Sequence, residues 1–545
     1  MQDRHRGRVI GAALGLALGL AQGTLPAAAE VLLKQYDNGG IYEGEFRNGV
    51  QHGHGRYRLP SGYDYEGDWV EGRIEGQGRV RYPDGSVYEG HFTDGKPDGQ
   101  GRIAYPDGST YDGDWQAGEI TGQGRASYAN GALYEGGFRR ALHHGKGRLS
   151  NPSGYVYEGD WVAGRKEGQG RITFPDGAIY EGPMKADQPE GQGRLTLPDG
   201  MIYEGGFHAG QMSGHGKLTQ PTGDVYEGLM LDGRRQGSGK VSYANGDIYE
   251  GGFAEDRRHG QGVFRGTDGY VYEGEWKAGR IEGQGRVTYP DGTIYEGRFA
   301  NDLPQGQGRI TYPDGSWYEG NWNAGEIDGE GEAHYASGLV YRGAFRAGRT
   351  QGRGVMTYPD GYSYDGDWVD GLREGQGTAL YADGTRYEGA FARGRREGLG
   401  RIVMPDGFIY QGAWRAGEIE GQGRAEYPNG DVYEGGFRAG QRWGKGVLTR
   451  KDGGRLEGYW QADRWLGTTP PPAETESAAD TEQAETAAET PAQGPQSDPA
   501  AASPTTANPA AADPAAAAPA AGATSTTPAS PDETPSPATL APGGE

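Results

Sequence analysis

YEGDWVEGRIEGQGRVRYPDGSV, running from Tyr65 to Val87, decides the fold. The same opening triplet, or a close variant, starts at Tyr42, Tyr65, Tyr88, Tyr111, Tyr134 and Tyr157. It continues in 23-residue steps through Tyr433 to a degenerate Leu456-Glu457-Gly458, nineteen starts without insertion or deletion. A half-unit, Tyr36-Asp37-Asn38-Gly39, precedes the first. A fixed period of this size means an array built from one supersecondary unit. That unit is not helical, because Gly recurs about five times in it and each interior Gly costs a helix ~1 kcal/mol against Ala. Two short alternating runs remain, Y-E-G-x-W/F and G-x-G-R-x-x-Y. Pro-Asp-Gly after the second run suits a three-residue hairpin loop with Gly in the left-handed position. The looser G-x-x-x-G stretch closes the other end. Each repeat is therefore read as two short antiparallel strands, and the chain as an all-β meander.

Register follows from charge. With Pro83-Asp84-Gly85 as the loop, Tyr82 faces Ser86, Val80 faces Tyr88 and Arg79 faces Glu89, and opposite charges directly across a strand pair are favourable. Lys or Arg holds the first of these two charged sites in thirteen of eighteen hairpins, and the facing site is acidic in seventeen of nineteen. Where the facing residue becomes Arg342, the residue ten places upstream becomes Glu332, an inverted pair. One face then carries the Tyr, the Trp or Phe, the glycines and the aliphatic residues, and the other carries the Arg–Glu ladder. Gly76 falls opposite Phe92 and Gly78 opposite Gly90, so rings can lie over bare backbone. Twist is expected to turn the aromatic side of an elongated single-layer ribbon, on the order of 180 Å long, into a groove.

The unit YEGxW–G–GxGxxxYPDGx resembles the MORN (membrane occupation and recognition nexus) repeat, over about Tyr36 to Leu466. The resemblance implies a non-catalytic array of β-hairpins that serves as a scaffold for proteins, in some members with a helix held in an aromatic groove, and a link to phospholipid membranes. Arg342, Gln411 and Leu456 depart from the pattern, as do the methionines at the Trp/Phe position. Along the array that position alternates Phe and Trp, passes through Met184, Phe207, Met230 and Phe253, and resumes with Trp276. Met201, Met212 and Pro183 lie in the same slip, which reads either as drift between duplicated blocks or as a bend or docking segment, since Met adapts to varied apolar surfaces. The candidate groove residues are Trp69, Trp115, Trp161, Met184, Phe207, Met230, Phe253, Trp276, Trp322, Trp368 and Trp414. Arg79, Glu89, Glu332 and Arg342 are read as the structural ladder.

The ends differ from the array. Residues 1–29 read as an export signal: Arg4, Arg6 and Arg8, an apolar run from Val9 to Ala21, then Ala27-Ala28-Ala29 with cleavage before Glu30. The array is placed at 30–467. Residues 468–545 hold fifteen of the 32 prolines and eleven carboxylates with no Lys, Arg or aromatic residue, so the tail is expected to be disordered. The chain of 545 residues has 105 Gly, no Cys and a net charge of −23. The absence of Cys removes disulfides, thiolate catalysis and Cys-based zinc sites. The charge argues against a phosphate-tracking nucleic-acid binder and, at about −25 without the leader, against anionic lipid. His52, His144 and His259 share one position in separate units, too far apart for one site, and His143-His144 reads as solvated loop rather than a weak metal site.

These observations leave no catalytic constellation, no cofactor and no metal. The expectation is an exported bacterial MORN protein, periplasmic or secreted. It would act as a non-enzymatic scaffold in the cell envelope that holds a protein partner in an aromatic groove or organises a complex. The alternative is an envelope-surface binder of phospholipid headgroups or glycan that uses Tyr and Trp as stacking platforms. Self-assembly through the open sheet ends is also expected, because unpaired edges recruit strands.

Overall fold

The computed structural model describes residues 30–471. The leader expected at 1–29 and the tail beyond Pro471 lie outside them. The described residues form forty strands and no helix. Strands consecutive in the chain pair antiparallel, as along Asp64–Val70, Arg73–Arg81, Val87–Thr93 and Lys96–Ala104. Two compact units share them, one ending at Ala244 and the next starting at Asn245.

The expected register is the observed one. Arg79 pairs with Glu89, Val80 with Tyr88, Gly78 with Gly90 and Gly76 with Phe92, and the inverted pair Glu332–Arg342 falls in the same frame. The Pro-Asp-Gly loop closes with Tyr82 N–H donating to the Ser86 carbonyl at 2.8 Å and Gly85 N–H donating to the Tyr82 carbonyl at 3.0 Å. Gly85 has φ +90°, the left-handed geometry the hairpin requires. Asp84 Oδ1 accepts from the Ser86 amide at 2.9 Å, an Asx turn that holds the loop from inside.

The other end of the hairpin is tighter than the sequence suggested. It is a two-residue turn with both central residues at positive φ, such as Glu71 (+49°) with Gly72 (+81°) and Ala117 (+50°) with Gly118 (+90°). This is the mirror-image type I turn, whose twist matches that of the strands it joins. The G-x-x-x-G stretch is therefore the start of a strand and not a loop. At Ala117 an L side chain with no local hydrogen bond sits where Asn or Gly is favoured. Ala117→Asn should accordingly stabilise its hairpin by roughly 0.5–1 kcal/mol, read as slower local hydrogen exchange.

Side chains divide as the alternation requires. Tyr111 is fully buried, with its ring over the strand that follows. A Cβ on Gly124 would lie 2.6 Å from Tyr111 Cζ, and one on Gly113 would lie 2.5 Å from Gly124 Cα. The glycines are there because ring and backbone occupy the space a side chain needs. The Tyr111 hydroxyl donates to the Asp114 carbonyl at 2.9 Å, where the ladder slips by two residues between Gly113 and Trp115. Asp114 Oδ2 accepts from the Gln123 amide at 2.7 Å across the same bulge. Each ring meets its neighbours edge to face: Tyr111 stands 5.7 Å from Trp115 and 5.0 Å from Phe138, an arrangement worth ~0.5–1.5 kcal/mol beyond burial.

The opposite face carries the ion pairs, with Arg79–Glu89 at 2.8 Å and Arg342–Glu332 at 2.8 Å. Arg79 and Glu89 are 61% and 62% exposed, so each such pair adds little, ~0–1 kcal/mol. The ladder fixes register more than it adds stability. The Met segment differs locally. Pro183 stays within the strand Ile179–Lys185, but the strand after it breaks into Gln188–Pro189 and Gly191–Thr196. Glu190 N–H still donates to the Pro183 carbonyl at 3.0 Å.

Candidate functional site

All eleven candidate groove residues are between 2% and 6% exposed. Trp69, Trp115, Trp161, Trp322, Trp368 and Trp414 point their indole N–H at a backbone carbonyl fourteen residues earlier, as Trp115 does to Gly101 at 3.1 Å. Trp276 Nε1 is buried without such a partner, and the Arg258 guanidinium lies 4.0 Å from its ring centre. Met184, Phe207, Met230 and Phe253 fill the same row with no donor to satisfy. Rings this enclosed form the core of the sheet and have no free face to stack on a ligand.

The accessible surface of the aromatic side is therefore made by the residues that cover it. Counting each unit from its first Tyr, the tenth residue lies beside that ring and changes type from unit to unit: Ile120, His143, Lys166, Met212, Arg258 and Arg396 all occupy it. Arg396 lies 4.4 Å from the Trp414 ring centre and Arg442 lies 4.4 Å from that of Trp460. Such cation–π contacts contribute ~0.5–2 kcal/mol. Exposure along the row is uneven: Ile120, His143 and Lys166 are buried, whereas Met212, Arg258, Arg396 and Ile419 are half-buried. The row was overlooked in the sequence because it falls in the stretch read as a loop. Its signal was the change between apolar and cationic residues on the aromatic side of the strand.

The histidine pair needs correction for the same reason. His143 and His144 sit in the strand Leu142–Ser150 and point to opposite faces. His143 is 4% exposed, stacks 3.6 Å from the Tyr134 ring and shares a 2.7 Å hydrogen bond between Nε2 and the Tyr128 hydroxyl. Burial, and then the Lys166 ammonium, depress its imidazole from the ordinary 6.5 to about 3. The folded state keeps it neutral while the unfolded chain takes up a proton near 6.5. The stability linked to this site is thus present above pH 6.5 and lost as pH falls from there toward about 3, by up to ~1.4 kcal/mol per pH unit. His143→Gln should flatten that slope in hydrogen exchange of the Leu142–Ser150 hairpin between pH 6 and 4. An unchanged slope would assign the acid sensitivity to other groups.

The remaining polar chemistry is also structural. A carboxylate or amide at the eleventh position accepts from the turn amide of the next unit: Glu75 from Asp94, Asp98 from Ala117, Glu282 from Asn301 and Glu397 from Ala416, at 2.8–3.2 Å. These bonds tie each hairpin to the following one. Burial pushes the Tyr203 hydroxyl up to about 12, so it stays protonated and is no nucleophile at neutral pH. Among the described residues no three His, Asp or Glu side chains gather as metal ligands.

Fold and surface define a β-hairpin repeat array whose fixed residues build the sheet and whose variable tenth residues lie over its aromatic side. The chain belongs to the MORN repeat family: the family profile matches eighteen consecutive repeats from residue 42 to residue 455. The degenerate unit at Leu456 is not among them. No curated protein matches in sequence. Among solved structures, the chain is similar to the SAS-4 (dCPAP) TCP domain of Drosophila melanogaster, in complex with a proline-rich motif of Ana2. That likeness is at 17% identity over 29% of this chain and 85% of that one, with a TM-score of 0.20. It is similar to the TCP10 domain of Danio rerio CPAP at 15% identity over 48% and 96%, TM-score 0.14. It is also similar to virginiamycin B lyase from Staphylococcus aureus at 14% identity over 56% and 90%, TM-score 0.10. Likenesses this low bear on neither partner nor activity.

Proposed function

We propose that this MORN array is an exported, non-enzymatic scaffold of the cell envelope that binds a protein partner along its aromatic side. The observation that carries the reading is the division of labour within each unit. Tyr, Gly, Trp or Phe and the turn residues are consumed by the fold, while the tenth position on the same side varies and is only partly buried at Met212, Arg258, Arg396 and Ile419. A partner that read only the invariant residues could not tell one repeat from the next. One that reads the tenth positions meets an ordered series of apolar and cationic side chains. Arg258 and Arg396, each held over a Trp, favour a segment with carboxylates set among apolar residues. Export rests on the basic, apolar and Ala-rich run before Glu30. The glycan alternative loses support from ring burial, because stacking needs an open face.

Photo-cross-linking probes at Met212 and Ile419, carried by the full chain in intact envelopes, test this reading. A recurrent protein adduct at either position is the expected result. Adducts with lipid or glycan alone would overturn it.

A further inference from the structure

The two ends of the array are complementary pieces of one repeat. The long strand of an unbroken unit spans positions 9–17, as Arg73–Arg81 does in the unit that starts at Tyr65. The last unit starts at Leu456, and its closing strand Arg464–Gly467 supplies only positions 9–12. At the other end, the first strand Glu30–Gln35 supplies positions 12–17 of the unit that would precede Tyr42. What one end lacks, the other presents.

The backbone shows the gap. Arg464–Gly467 pairs with Tyr459, Trp460 and Gln461 only. In the unit before, the equivalent of Arg455–Gly458 is Val432–Gly435, and it pairs in full with Gly446–Thr449. The outer edge of Arg455–Gly458 has no strand against it among the described residues, and neither has the outer edge of Glu30–Gln35, whose one partner is Ile41–Arg47. Open edges of this kind are templates for another strand.

The side chains match as well. In every other unit a Tyr at position 1 lies over a Gly at position 14. Leu456 is the one residue among the nineteen starts that is not Tyr, and Leu32 stands at position 14 where the eighteen units from Tyr42 to Tyr433 all have Gly. A leucine cannot enter under a tyrosine ring, but it can pack on another leucine. Positions 11, 13 and 15 share the opposite face, and there Leu466 (43% exposed), Val31 (69%) and Leu33 (54%) replace the usual polar residues. Lys34 holds position 16, with its ammonium 5.0 Å from the Tyr36 ring centre.

We propose that Glu30–Gln35 of one copy completes the last repeat of a second copy. Gln35 lies opposite Arg455, Lys34 opposite Leu456, Leu33 opposite Glu457 and Leu32 opposite Gly458, in the antiparallel register used throughout the array. Trp465 and the Gly467 carbonyl, which now crowd Gly458, move outward as the strand enters. The contact is heterologous, with each copy offering one end and receiving the other, so it propagates head to tail. One strand pair buries less than the ~1,000 Å² expected of a stable interface. The association is therefore concentration-dependent and best trapped covalently.

The natural chain has no Cys, which makes the trap clean. Leu33→Cys and Glu457→Cys full-length variants are prepared separately, mixed and oxidised. The expected product is a covalent dimer containing one of each, in clear excess over Leu33→Cys mixed with Leu399→Cys, whose site is 74% exposed on the array. Adding Leu32→Glu to the Leu33→Cys chain should suppress that dimer, since it places a carboxylate against Leu456. Equal dimer yields from the matched and control mixtures would overturn the proposal. So would a chain carrying both cysteines that closes only on itself, because the ends would then meet within one copy.

Discussion

Tyr111→Ala is expected to cost its repeat about 3–5 kcal/mol, the usual range for deleting a fully buried aromatic side chain. Little relaxation is available. The ring lies on the Gly113–Gly124 backbone, edge-on to both Trp115 and Phe138, and glycine has no side chain to swing into the void. Tyr111→Phe isolates the hydroxyl, whose proton is shared between the Asp114 carbonyl at 2.9 Å and the Thr121 carbonyl at 3.3 Å, and should cost about 1 kcal/mol. Because each hairpin touches only its neighbours, the loss should stay near the altered unit. Urea unfolding combined with residue-resolved hydrogen exchange reads both quantities. A Tyr111→Ala cost no larger than that of Tyr111→Phe would mean that the ring is not core.

The mirror-image change, Gly124→Val, should be comparably damaging. Its Cβ would fall 2.6 Å from Tyr111 Cζ, and overpacking a tight site usually costs 1–3 kcal/mol, more where backbone has to shift. The informative variant is the pair. With Tyr111→Ala the space over Gly124 opens, so adding Gly124→Val to it should cost less than Gly124→Val does alone, a coupling of order 1 kcal/mol or more. Strictly additive costs would show that ring and glycine do not share the space assigned to them. The chain itself carries the same exchange at its ends, where Leu456 stands for Tyr and Leu32 for Gly.

Most of the fold was legible because the period is strict and the alternation within it is of the strand type. One inverted pair, Glu332 with Arg342, was enough to set the register that every hairpin follows. The two-residue turn was missed because its left-handed residues are mostly Ala, Asp, Glu and Asn followed by Gly. Only the match in twist between turn and strands, which sequence does not display, makes Ala117 acceptable there. That error moved the strand boundary and hid His143 and the tenth-position row inside a supposed loop. The candidate site was half legible. Sequence placed the Trp and Met residues on one face, but a face of a single sheet need not be open. Here Tyr rings, glycine backbone and the tenth residues close over it. The Glu75-type acceptors were unread because their partner is a backbone amide of the next unit, nineteen residues away.

The central claim is that the aromatic side is a closed core, which leaves the proposed recognition to the residues that cover it. Acrylamide quenching of tryptophan emission tests it in a chain carrying Trp317→Phe, Trp443→Phe and Trp465→Phe, which leaves only the row from Trp69 to Trp460. The account predicts slow quenching typical of enclosed indoles, and free quenching of that row would contradict it.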